Sequence, residues 1–133
     1  MKRILFTLPL LFLSIASLKA EESAEKAVAV YLNLAPSFVT NYGGQGALRY
    51  IKVDVSLRLA SAGDKETIEW HMPYIRSELV SLFSRQQESA LTTREGKEVL
   101  RQAALAAVQA LLEKEEGAPI ADNLLFTNFI VQK

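Results

Sequence analysis

Along residues 49–59 apolar side chains fall at every second position. Ile51, Val53, Val55, Leu57 and Leu59 alternate with Tyr50, Lys52, Asp54, Ser56 and Arg58. Side chains of a strand point alternately to opposite faces, so the pattern predicts a long strand with one dry and one wet face. The same period of two sets Val28, Val30, Leu32 and Leu34 against Ala29, Tyr31 and Asn33. Pro36 has no N–H to give to a ladder, and the first strand is expected to end, bulge or lie at a sheet edge there. The stretch NYGGQG at 41–46 reads as a turn with glycines free to take positive φ, which makes the two strands an antiparallel hairpin.

From Thr67 the period changes. Ile68, Met72, Ile75, Leu79 and Leu82 recur at spacings of four and three, with Phe83 beside the last, the stripe of an amphipathic helix. Pro73 removes one helical hydrogen bond, so the element is either kinked or two pieces with Pro73 in the first turn of the second. Thr92-Thr93-Arg94-Glu95 predicts a capping box with Thr92 as the N-cap, opening a helix to about Glu116. Its expected buried stripe is Val99, Leu100, Ala103, Ala107, Ala110 and Leu111, and Gly117 with Pro119 stops it. Glu113, Glu115 and Glu116 sit at the pole of the helix dipole that disfavours acids. The segment LLFTNFIVQ at 124–132 is a strand whose two faces both look apolar, which suggests a central place in the sheet. Without a repeat or a linker, the order β-β-α-α-β predicts one α+β domain, a small antiparallel-containing sheet packed on one face by two helices.

Fifteen basic and fifteen acidic residues give no overall field to draw in a nucleic acid. With no cysteine and one histidine, thiol catalysis, disulfides, iron–sulfur clusters and sites needing two imidazoles are excluded. No metal, cofactor or small-molecule substrate is expected. His71 lacks an evident nucleophile or metal partner and is expected to be an exposed or helix-capping residue. A periplasmic small-ligand-binding module, with a cavity between sheet and helices, is the alternative to a protein that acts by contact.

Lys2 and Arg3 precede an uncharged, mostly apolar stretch over 4–18, and Lys19, Ala20, Glu21 and Glu22 follow. This is the layout of an export signal, and the run is short for a spanning helix. Residues 1–20 are therefore expected to be a signal peptide rather than a retained membrane segment, cleaved after Ala20 or Ala16, with 21–133 as the exported domain. Removing 1–20 takes away Lys2, Arg3 and Lys19 and leaves 12 basic against 15 acidic residues, a net −3.

Several positions are candidates for an interaction surface. Lys52, Asp54 and Arg58 interleave their signs on the wet face of the long strand. That face is either simply solvated or an oligomer interface in which Lys52 and Arg58 meet a neighbour's Asp54, a heterologous contact that closes into a ring when the rotation permits. Met72 belongs to the helical stripe and Pro73 shapes the helix, or the pair offers a partner contact at a kink. Arg76, on the flank of the same helix, is expected to be a solvated charge or a surface pair.

Five blocks, in order, carry a family resemblance: YLNLAPSFVTN at 31–41, RYIKVDVSLRL at 49–59, HMPYIRSELVSLFS at 71–84, LTTREGKEVLRQ at 91–102 and FTNFIVQ at 126–132. Together, and with Met72-Pro73, Arg76, the run Thr93 to Lys97 and the terminal Phe-x-x-Phe-x-Val-Gln arrangement among them, they resemble the FliL family of flagellar basal-body-associated proteins. The resemblance implies a non-enzymatic periplasmic domain with a stomatin-like fold, associated with the inner membrane at the basal body. It also implies assembly, as a homo-oligomeric ring, around stator units of the MotA and MotB type to support torque under load, with Arg76 as a candidate subunit contact. Members of the family typically carry one inner-membrane helix and a linker before the domain, whereas here a short, proline-containing segment leads almost directly into the first strand.

Overall fold

In the computed structural model, which describes residues 29–46 and 48–133, the elements follow from the strand predicted at the centre of the chain. β3 (Tyr50–Leu59) is the axis of a four-stranded antiparallel sheet. On one side it pairs with β1 (Val30–Asn33) and β2 (Phe38–Asn41), and on the other with β4 (Ala121–Gln132) along its whole length. Leu57 thus lies opposite Leu32 on one side and Leu124 on the other.

β1 and β2 are one strand interrupted where Pro36 predicts. Asn33 opposes Ser56 and Phe38 opposes Val53, so residues 34–37 span only Val55 and Asp54 and bulge out. The Leu34 N–H still donates to the Val55 carbonyl at 2.8 Å.

The last strand corrects the sequence expectation. β4 is an edge strand, and its apolar residues serve one face. Two bulges explain the misleading pattern: the ladder skips Asp122 between Ala121↔Leu59 and Asn123↔Arg58, and skips Thr127 between Phe126↔Val55 and Asn128↔Asp54. Each skip reverses the phase of the alternation, so Ala121, Leu124, Phe126, Phe129 and Val131 all oppose inward residues of β3.

The helices cover that inward face. α1 (Asp64–Trp70) and α2 (Met72–Ser84) are the two pieces foreseen around Pro73, joined at His71. The His71 N–H closes α1 on the Ile68 carbonyl at 3.1 Å, while its own carbonyl accepts from the Tyr74 and Ile75 N–H groups at 3.0 Å. A short α3 (Glu88–Thr92) then precedes the long α4 (Arg94–Glu116). Because α3 ends at Thr92, the N-cap of α4 is Thr93 and not Thr92: Thr93 turns to extended backbone, and its Oγ1 accepts the Gly96 N–H at 3.0 Å. α4 ends as expected, on Gly117 with φ +77° and its N–H bonded to the Glu113 carbonyl.

The core joins Ile68, Ile75, Leu79 and Phe83 of α1 and α2, Leu91 of α3, and Leu100, Ala104, Val108 and Leu112 of α4 to the inner sheet face. Phe83 meets Phe38 and Phe126 edge-on, with ring centroids 5.7 and 5.9 Å away. The buried line on α4 is shifted from the expected one: Leu100 is buried as foreseen, but Val99 is 67 % exposed and Ala103 and Ala110 face solvent. Apart from Gln109, every residue from 103 to 112 is apolar, so periodicity permits two stripes a residue apart. The helix buries the bulkier set, which removes more apolar area from water.

Candidate interaction surface

Among the described residues the helices pack on one face of the sheet only, and the strand register arranges the other, outer face in cross-strand rows. Tyr31–Arg58–Asn123, Asn33–Ser56–Leu125, Val39–Lys52–Ile130 and Asn41–Tyr50–Gln132 run across it, and Asp54–Asn128 lies beside the bulge of residues 34–37. Lys52, Asp54 and Arg58 therefore share one face, as the alternation predicts. Their environments differ. Arg58 Nε donates to Asp122 Oδ1 at 2.6 Å, which raises the Arg58 pKa further through that hydrogen bond and the Asp122 charge. The bulge that leaves Asp122 unpaired in the ladder thus supplies the partner. Lys52 and Asp54 have no ion-pair partner among the described residues. Ser56 is closed off by a hydrogen bond to Asn33 Oδ1. Around Lys52, Val39, Tyr50 and Ile130 border a shallow cleft of about 260 Å³, with Val39 61 % exposed and Ile130 44 %.

The three candidates on α2 are not on this face. Met72 packs half-buried against the core, Pro73 is exposed in the first turn, and Arg76 turns toward its own chain. Arg76 donates to the Leu34 carbonyl at 3.2 Å and lies 4.1 Å over the Phe38 ring, tying α2 to the β1–β2 bulge. What the sequence missed lies beside Pro73: Trp70 and Tyr74 are 80 % and 67 % exposed. The signal was present, since both fall off the Ile68–Met72–Ile75 stripe.

His71 takes the second of its two expected places: it caps the junction of α1 and α2 and is not exposed. Its side chain is buried, and Nε2 lies 2.6 Å from Glu116 Oε1. The acid at the unfavourable pole of α4 is thereby held by the α1–α2 joint. Nothing nucleophilic joins the pair, and no group of three His, Cys, Asp or Glu able to hold a metal occurs among the described residues. No helix among them is long and apolar enough to cross a membrane, and the expected signal at 1–20 lies outside the described residues.

At the other end of the molecule, α4 is laced to β4. Arg101 is held by Glu98 at 2.6 and 2.9 Å and donates to Asn123 Oδ1 and the Leu124 carbonyl. The hydrogen bond from Arg101 lowers the Glu98 pKa from 4.5 to about 2. Glu88 is likewise lowered, chiefly by its hydrogen bond from Lys133, with Arg49 adding to it.

This chain is similar to known flagellar proteins over nearly all of the described fold. The family model for the flagellar basal body-associated protein FliL matches residues 31–132. The flagellar protein FliL of Aquifex aeolicus (strain VF5) is 26 % identical over 114 residues, which cover 86 % of this chain and 68 % of that protein. The FliL proteins of Escherichia coli (strain K12) and Shigella flexneri are each 32 % identical over 100 residues, 72 % of this chain and 61 % of theirs. The chain therefore spans under two thirds of the enterobacterial relatives. A match from the first residues of β1 to the last of β4 takes in every element described above, and on it the chain belongs to the FliL family of flagellar basal body-associated proteins.

Proposed function

We propose that this chain acts mechanically at the flagellar basal body, binding stator units of the MotA and MotB type and copies of itself from the periplasmic side, and so supporting torque under load. Residues 1–20 serve as its export signal and 21–133 as the working domain. One observation beyond family membership carries the reading: among the described residues no element packs on the outer sheet face, and that face offers Lys52 and Asp54, opposite charges two residues apart with no ion-pair partner among those residues. Each copy offers Lys52 to its neighbour's Asp54, with Val39, Tyr50 and Ile130 as an apolar surround. Such a head-to-tail contact closes into a ring when the rotation allows. Arg58, committed to Asp122, forms its rim. Pro73, flanked by Trp70 and Tyr74, supplies a second contact suited to a larger partner, since exposed Trp and Tyr are the residues that dominate interface energies. Met72 and Arg76 position that corner.

A small-ligand module is less well supported. It needs open space between the layers, where Phe38, Leu79, Phe83, Leu100 and Val108 instead meet at 2 % exposure or less.

The test is an in-frame deletion, with swimming speed followed as medium viscosity rises. A deficit that grows with load and is restored by the intact gene is expected. Unchanged motility at every load removes the stator role. In parallel, sedimentation of the full chain should show an oligomer that dissociates in high salt, and a salt-insensitive monomer at all concentrations removes the ring.

A further inference from the structure

We propose that the outer edge of β4, from Phe126 to Val131, is a strand-addition site for an extended acidic segment of a partner protein.

The orientation of the edge follows from hydrogen bonds on the opposite side of the sheet. The Val55 carbonyl accepts from Leu34 N–H, and the Arg49 carbonyl from Tyr42 N–H. The odd-numbered residues of β3 therefore spend their backbone groups on β1 and β2. In an antiparallel ladder a residue that bonds to one neighbour is a non-hydrogen-bonded partner of the other. Their partners on β4, namely Ala121, Leu124, Phe126, Phe129 and Val131, consequently turn their own N–H and C=O groups outward. Two of the five confirm this. The Ala121 carbonyl accepts from Gln109 Nε2 at 2.9 Å, and the Leu124 carbonyl accepts from Arg101 at 3.1 Å. α4 thus caps the first half of the edge with side chains. Phe126, Phe129 and Val131 have no such cover among the described residues, and their stretch is about 20 Å long at the usual strand rise.

The surface beside this open stretch selects its occupant. Between β4 and the first turns of α4 lies a cleft of about 470 Å³ floored by Phe126 and Phe129, bordered by Leu125 at the strand edge, and walled by Arg94 and Lys97. Lys97 Nζ stands 5.1 Å over the Phe129 ring. Glu98, the acid in that wall, is neutralised by its two bonds to Arg101, so Arg94 and Lys97 set the sign of the cleft. An added strand gives its backbone to Phe126, Phe129 and Val131 and drops alternate side chains over the cleft. Carboxylates there meet the two cations, and apolar residues meet the phenylalanines. A second copy is a poor occupant. The Phe126–Val131 stretch of a second copy carries no carboxylate, so pairing two β4 edges leaves Arg94 and Lys97 without a counter-charge from the added strand.

The experiment is selection of a random twelve-residue peptide library on the full chain. Enrichment of peptides that alternate acidic and apolar residues is expected. A selected peptide, synthesised and titrated, should slow hydrogen exchange at the Phe126, Phe129 and Val131 amides. Reversing the wall with Arg94→Glu and Lys97→Glu should weaken it about tenfold, as the loss of two surface pairs allows. Val131→Pro removes one outward N–H without taking a bond from β3 and should weaken it too. Should that variant fold poorly, the charge-reversal pair on the α4 surface still decides. Selected peptides without acids, binding indifferent to the reversal, protection elsewhere on the fold, edge amides protected in the absence of peptide by self-association, or no enrichment at all would each overturn the proposal.

Discussion

The two sides of β3 share a backbone and little else. On the helix side Ile51, Val53, Val55, Leu57 and Leu59 are each 2 % exposed or less, and each is flanked by apolar residues of neighbouring strands or helices. On the outer side Tyr50 is 39 % exposed, Lys52 faces solvent, and Arg58 and Ser56 are held by partners supplied from β4 and β1. The inner side determines that the chain folds. The outer side buries less apolar surface among the described residues and keeps Lys52 free of an ion pair there.

Changes that open the inner side should be the most damaging. Phe83 lies at 0 % exposure between Phe38 and Phe126, so Phe83→Ala leaves a cavity that the sheet cannot close. A loss of about 3–5 kcal/mol in urea unfolding is expected. A loss under about 1 kcal/mol would mean that the layers are less tightly packed than the ring contacts indicate.

Smaller effects belong to the joints that hold the helices on that side. Gly96 sits in the first turn of α4, where helix propensity alone favours alanine by about 1 kcal/mol. A Cβ there would meet the Ala90 Cα and the Ser89 carbonyl at 2.7 Å, and backbone atoms cannot give way as a flexible side chain can. Gly96→Ala should therefore destabilise, by about 1–3 kcal/mol, with the thermal midpoint as the check. Glu116→Ala leaves the buried His71 ring without its partner, and about 1–3 kcal/mol should be lost.

The inner side was largely legible in the sequence because burial imposes a period. Alternation found β3 and its faces, and the 4-3-4-3 spacing found Ile68, Ile75 and Leu79, with Pro73 marking the split. Legibility failed where the period is broken or redundant. The bulges at Asp122 and Thr127 reversed the alternation in β4 and made one apolar face look like two. The alanine-rich α4 allowed a stripe one residue off, and adjacent threonines hid which of them caps the helix. The site was half legible for another reason. A strand's period places Lys52, Asp54 and Arg58 together, but no local rule shows that Asp122 takes Arg58, that Arg76 turns to Leu34, or that His71 reaches Glu116 across 45 residues. Those are consequences of packing.

Acid should separate the edges of the molecule from its core. Hydrogen bonds from Arg101 and from Lys133 hold Glu98 and Glu88 below the ordinary 4.5, Glu98 at about 2. Carboxylates depressed on folding stabilise the fold above their unfolded pKa, and that contribution is lost as pH falls through the folded value. The thermal midpoint should therefore hold steady down to about pH 4.5 and decline from there toward pH 2. Glu98 is exposed and Glu88 half-buried near the surface, so the decline should be shallow and weaker in salt. Glu98→Gln should flatten part of it, and an unchanged slope would place the acid sensitivity elsewhere.

The smallest stability effect and the sharpest functional one should coincide on the outer side. Lys52 has no intrachain ion pair among the described residues, so Lys52→Glu should change stability by no more than about 0.5 kcal/mol. If the face is an interface of alternating signs, that substitution sets the new carboxylate of one copy against Asp54 of the next, and motility under load should fall while folding is untouched. Adding Asp54→Lys reverses both members of the contact, and the repulsion should become attraction again. Recovery in the double variant, scored by sedimentation and by swimming speed at raised viscosity, separates a charge contact from a merely solvated face. A solvated face predicts three indistinguishable strains.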